Sequence, residues 1–216
     1  MNEQEIWDSV TGGSHARLWL DMAMKRVTQA LSDTVGEPFH HGALRAEAVP
    51  VAGIAERIGD PKAKTVGVQL QIKGDARGQA LLLFPWESAL RLVELLMEVP
   101  PRTTSDVGFA ERTALAEVGN LSVAHFLNAL VAYLAQPRRL QPSPSSVLVD
   151  TLEAILRLAL MPVAIRGDDP LVIETILANA GGTIQIHFLL LPEQTGRQGP
   201  DMAATRGPGA RAFRRA

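Results

Sequence analysis

The chain has 216 residues, 46% hydrophobic and 20% charged, with a formal net charge of −2. That is one domain, or two small halves sharing a core, of ordinary globular composition. The charge balance argues against a nucleic-acid binder working through bulk charge, and the lack of cysteine removes disulfides, thiolate metal sites and cysteine nucleophiles together.

The N-terminus, M-N-E-Q-E-I-W-D, is acidic and lacks the basic-then-apolar order of a signal peptide. Apolar runs such as L-A-L-M-P-V-A-I near position 160 are too short to span a bilayer. The expectation is a cytoplasmic protein with neither membrane nor nucleic acid among its partners.

The first predicted helix runs from Ser14, a candidate N-cap, to Val35, where Gly36 and Pro38 stop it. Leu20, Ala23, Val27, Leu31 and Val35 repeat at helical spacing. A strand over 43–50 and a short helix or turn over 51–58 follow. Thr65 to Ile72 alternates as a half-buried strand, Gly74-Asp75 marks a hairpin turn, and Gln79 to Phe84 is the return strand. Pro85 opens a helix over 86–98. P-P-R-T-T-S-D at 100–106 is a linker, with Asp106 a candidate cap for a long helix over 107–135 that Pro137 ends. A strand at 147–149, a helix over 151–160 and a hairpin of 170–177 and 182–191 complete the fold. Gly167, Asp168 and Asp169 read as the turn before that hairpin. The tail at 194–216 is rich in Gly, Ala, Arg and Pro and reads as disordered. Its arginines, Arg197, Arg206, Arg211, Arg214 and Arg215, read better as solvated than as a contact for an acidic surface.

The chain contains an internal repeat. Ala30-Leu31 matches Ala129-Leu130, and L-L-L-F-P at 81–85 matches F-L-L-L-P at 188–192. Both halves, about 14–99 and 107–193, read helix, strand, short helix, strand, strand. Two such units pair edge to edge into one continuous sheet with the long helices side by side on it, so 1–193 is taken as a single domain.

The long second helix carries the candidate chemistry. T-A-L-A-E-V-G-N puts Thr113, Glu117 and Asn120 on one face. Residues three or four apart on a helix have Cβ atoms about 5–6 Å apart. Gly119 between them costs roughly 1 kcal/mol against alanine, which tight packing on the sheet below would explain. A solvated helix face has the same polar pattern. Superposing the halves through Ala30 and Ala129 sets Glu117 on Leu18 and Asn120 on Asp21, so the chain has one such site. Asp21 and Lys25 read as a surface ion pair. His40-His41 lies in a predicted loop and makes a poor metal site. His125 reads as a packed or partly exposed imidazole.

E-V-G-N at 117–120, the following L-x-x-A-x-x-L-N-A-L, P-S-P at 142–144, V-L-V-D at 147–150 and the closing F-L-L-L-P-E resemble the CheC/CheX/FliY family of chemotaxis phosphatases. The resemblance covers roughly residues 15–193. The family pattern is Asp or Ser, three residues, Glu, two residues, Asn, and a proline some two dozen residues on. Glu117 and Asn120 match it, Thr113 stands where Asp or Ser is usual, and Pro142 and Pro144 straddle the proline position. The single Glu/Asn pair resembles CheX in count.

The resemblance implies a CheC-like α/β fold: a pseudo-two-fold repeat, a continuous mainly antiparallel sheet and two long helices on one face. It implies hydrolysis of the phospho-aspartate of a CheY-like response-regulator receiver, ending a chemotaxis or two-component signal. Asn120 would place the water and Glu117 would pair with the receiver's lysine, with Thr113 a partner contact. The chain would need no cofactor of its own, since Mg²⁺ comes with the receiver. The alternative is a non-catalytic receiver-binding or flagellar-switch-like scaffold of the same fold. A homodimer through sheet edges, Trp19 or Trp86 is a further expectation.

Overall fold

A computed structural model describes residues 3–11, 15–134, 138–165 and 169–193. Its elements are helices α1 (Glu3–Thr11) and α2 (Ala16–Val35), strands β1 (Phe39–His41) and β2 (Arg45–Ala48), and helix α3 (Ile54–Ile58), entered through a 3₁₀ turn. The β3 (Lys64–Gly74) and β4 (Gly78–Pro85) hairpin leads to α4 (Trp86–Leu96) and α5 (Phe109–Tyr133). Then come β5 (Leu140–Pro142), β6 (Ser146–Thr151), α6 (Leu152–Ala164), β7 (Leu171–Asn179) and β8 (Gln185–Pro192).

The strands form one sheet in the order β1-β7-β8-β4-β3-β5, with β2 beside β1 on β7 and β6 beside β5 on β3. Every strand pair is antiparallel. At the centre Leu81 pairs with Leu189 and Leu82 with Phe188. The repeat equates Leu81 with Phe188 and Leu82 with Leu189, so exchanging the halves carries one of these pairs onto the other. A pseudo-two-fold axis therefore passes between them. The outer strands of each half are exchanged: β1 and β2 pair with β7, while β5 and β6 pair with β3. Neither half can close its share of the sheet alone.

Helices α2, α4 and α5 cover one face over Val66, Val68, Leu70, Leu82 and Phe188. The short helices α3 and α6 cover the other over Leu81, Leu83, Leu189 and Leu191. The two long helices run antiparallel, since Trp19 near the start of α2 stacks on Tyr133 at the end of α5, with centroids 6.4 Å apart.

Several expectations need correction. Helix α1 does not stand out in the sequence; Ile6 and Trp7 bury completely, and Trp7 Nε1 donates to Arg77 O at 2.9 Å. Ser14 and Pro137 lie outside the described residues, as do Gly167, Asp168 and the tail. His15, at the start of α2, makes no side-chain cap, while Gly36 ends that helix in the left-handed region with its N–H on Ser32 O. The strand expected over 43–50 is the shorter β2, and β1 was not expected: His40-His41 lies in it, paired with Ala178 and Leu177, not in a loop. Helix α5 starts two residues late, with Gly108 rather than Asp106 at its head and no side-chain cap. β5 was not expected, and α6 runs on to Ala164 through Pro162.

The 100–106 linker is pinned. The buried Glu94 carboxylate accepts from Thr103 N at 3.0 Å and Thr104 N at 3.2 Å. Trp19 and Trp86 are both engaged within the chain, Trp86 beneath Lys64 Nζ at 3.2 Å from the ring centroid. Among the described residues one helix, α5, is long and apolar enough to cross a bilayer by length and composition alone, although no uninterrupted apolar run in it is that long. Its inner face, from Leu115 through Phe126 to Leu130, is buried in the fold.

Candidate functional site

Helix α5 lies on β3, and Gly119 sets how close it comes. A Cβ there would stand 2.5 Å from Cγ1 of Val68. The glycine read in the sequence as a packing device is one. Val68 pairs with Val147 of β6, and Arg112 reaches back from α5 to donate Nη1 to Val147 O at 3.3 Å and Nε to Val107 O at 3.2 Å. The first turns of α5 are thus fixed to the sheet edge and to the preceding loop.

With Val118 and Gly119 turned inward, Glu117 faces out and is exposed, and Asn120 is half-buried beside it. Among the described residues neither side chain makes a hydrogen bond or an ion pair. Thr113 is exposed one turn earlier, its hydroxyl donating to Phe109 O at 2.9 Å. The oxygen lone pairs remain open to an outside donor. The structure brings Thr113, Glu117 and Asn120 onto one outward stripe. The P-S-P segment sits on the adjoining edge: Ile72 pairs with Pro142, Ser143 N donates to Gln71 O at 2.7 Å, and Gln71 N donates to Ser143 Oγ at 3.0 Å. Leu70, one residue along β3, lies beneath Gly119. The register therefore sets the proline loop on the strand edge that α5 covers.

The equivalent face of the first half is different. Leu18 is 54% exposed, and Asp21 is taken by Lys25 Nζ at 2.8 Å and His41 Nε2 at 3.4 Å. A carboxylate with two basic neighbours is not poised for an outside partner. His125 is exposed on α5.

A second polar cluster lies on the other side of the sheet. Arg57 of α3 holds Glu174 through Nε at 2.8 Å and Nη2 at 2.6 Å, and also bonds Glu47. These contacts hold the Glu47 carboxyl below its usual range. Arg57 and Glu174 line a cleft of about 220 Å³ with Arg45, Ile58 and His187. Burial pushes the His187 imidazole down, partly offset by the Glu174 charge. The charged groups pair with one another and tie α3 to β2 and β7. No group of three or more metal-ligating side chains gathers among the described residues.

Sequence reasoning passed over Phe109. It opens α5 on the Thr113 stripe and is 88% exposed. The signal was available: an aromatic directly after a glycine at a helix start, with no apolar partner at helical spacing.

No known family profile matches the sequence. Solved structures do match. FliY of Thermotoga maritima superposes with a TM-score of 0.64 at 17% identity, covering 87% of this chain and 89% of that one. CheX of Desulfovibrio desulfuricans gives 0.55 at 15%, covering 82% and 99%. The CheX–CheY–BeF₃–Mg²⁺ complex of Borrelia burgdorferi gives 0.55 at 14%, covering 82% and 98%. The expected architecture is the observed one, and the chain has the fold of the CheC/CheX/FliY chemotaxis proteins.

Proposed function

We propose that this chain is a phosphatase of phosphorylated CheY-like receiver domains, with Asn120 and Glu117 as its working residues. The observation that carries the reading is the unengaged, outward-facing Glu117 and Asn120 on a helix that Gly119 presses onto the sheet. The known CheX–CheY complex, similar in fold, supports a receiver as the partner.

An acyl phosphate is already reactive, and the receiver brings its own Mg²⁺ and lysine. What remains is to hold a water in line with phosphorus. The Asn120 carboxamide suits this, since it accepts and donates hydrogen bonds and carries no charge to repel phosphate. The water oxygen bonds to phosphorus, the bond from phosphorus to the aspartyl oxygen breaks, and carboxylate and inorganic phosphate leave. Glu117 pairs with the receiver's lysine and sets the docking angle. Neither side chain becomes covalently modified.

The test is decay of a ³²P-labelled CheY-like receiver from the same organism, with wild-type protein and with Asn120→Ala. Acceleration by wild type that the variant loses supports the reading. No acceleration, with the receiver still retained in a pull-down, would make the chain a binding module of the same fold.

A further inference from the structure

We infer that Phe109 is a docking anchor that inserts into an apolar depression on the receiver domain, setting affinity rather than the chemical step. The inference rests on the phosphatase reading for the identity of the partner. At 3.6 residues per turn, Phe109, Thr113, Glu117 and Asn120 fall within an arc of about 80° on α5. Phe109 lies about 12 Å along the axis from Glu117 at 1.5 Å per residue. An interface of ordinary size covers about 800 Å² per partner, a disc of roughly 16 Å radius. A receiver seated over Glu117 and Asn120 therefore reaches Phe109.

The side chain is unusual on its own terms. At 88% it is the most exposed large hydrophobic residue described, and it shares its stripe with the polar Thr113, Glu117 and Asn120. The other exposed apolar groups belong to other elements: Leu158, Met161 and Ile165 on or just after α6 across the sheet, Leu18 and Met22 on α2, Met97 just after α4, and Ile176 on β7. The backbone that carries it is held, through Glu94 on the loop and Arg112 on Val107 O. A fixed, solvated aromatic beside a polar site has the character of an interface hot spot, where a few aromatic anchors carry most of the affinity.

The experiment titrates wild type, Phe109→Ala and Phe109→Leu with a beryllofluoride-loaded CheY-like receiver, then measures turnover on the phosphorylated form. Phe109→Ala is expected to weaken binding and raise KM by about tenfold, the scale seen when an interface aromatic is truncated, with kcat within about twofold. Phe109→Leu is expected to recover part of the loss. Unchanged affinity and KM in Phe109→Ala, with wild type active, would overturn the anchor and leave the phosphatase standing. Weakened binding without any wild-type turnover would keep the anchor and remove the phosphatase. Absence of wild-type binding, or a concentration-dependent dimer that Phe109→Ala dissolves, would overturn the anchor.

Discussion

Gly119 and Val68 fix the separation of α5 from β3, because a Cβ at 119 would lie 2.5 Å from the valine Cγ1. Ordinary carbon contacts are about 3.5–4.0 Å. Val68 is fully buried between its partners Leu82 and Val147, so it has nowhere to retreat. Alanine gains about 1 kcal/mol of helix propensity over glycine, while overpacking costs about 1–3 kcal/mol. We expect Gly119→Ala to destabilise by about 1 kcal/mol in urea unfolding and to lower phosphatase turnover as the helix lifts. Val68→Ala in the same chain should recover part of both losses. Independent, additive effects of the two substitutions would sink the coupling.

Asn120 and Glu117 project from the outer side of this joint. Asn120→Ala should leave the unfolding free energy within about 0.5 kcal/mol of wild type, as surface changes that break no side-chain bond do. Its turnover should fall roughly a hundredfold, the scale of losing alignment at the reacting centre. Asn120→Asp should fare no better, since it sets a negative charge against phosphate. Glu117→Gln should act mainly on KM. Thr113→Ala should change little, because its hydroxyl donor is spent on Phe109 O. Single-turnover decay of the phosphoreceiver distinguishes these cases.

The repeat was readable because Leu81, Leu82, Phe188 and Leu189 are alike for a reason: they sit at the symmetry axis and are all buried. The outward stripe on α5 was readable from spacing alone, since polar residues recur every turn. Helix α1 was not. Its acidic, nine-residue segment is short, Ile6 and Trp7 are buried, and Trp7 is held from the distant β3–β4 hairpin. β5 was hidden by its proline, Pro142; it is a three-residue edge strand, where a missing N–H costs little. The head of α5 was misplaced because Asp106 fits a cap by residue type, yet the loop is held from Glu94 instead.

Trp7 tests whether α1 is part of the domain. The side chain is fully buried, lies 3.4 Å from where a Gly78 Cβ would stand, and donates to Arg77 O at 2.9 Å. Trp7→Ala should cost about 3–5 kcal/mol, the range for emptying a buried large aromatic site. Trp7→Phe should cost less while still losing the hydrogen bond. Hydrogen exchange should show faster opening at the hairpin loop in both. A melt unchanged by Trp7→Ala would show that α1 adds nothing to the core.

His187 gives the fold a pH dependence on the face away from the proposed site. Burial lowers its folded-state pKa below the ordinary 6.5. Between that ordinary value and the lowered one, the unfolded chain binds a proton that the folded chain refuses. Stability therefore rises with pH through this window. His187 contributes fully above about pH 6.5, loses its contribution as pH falls towards the folded pKa, and changes no further below it. Glu174 favours the imidazolium, so Glu174→Gln should push the His187 pKa lower still and widen the window. The measurement is the difference in urea midpoint between wild type and His187→Gln across pH 4.5 to 8, with the imidazole followed by NMR. The gap should be flat above the window and change only within it. A His187 that titrates at the ordinary value would show no pH effect, and one that titrates above it would show that Glu174 outweighs burial, with the sign of the effect reversed.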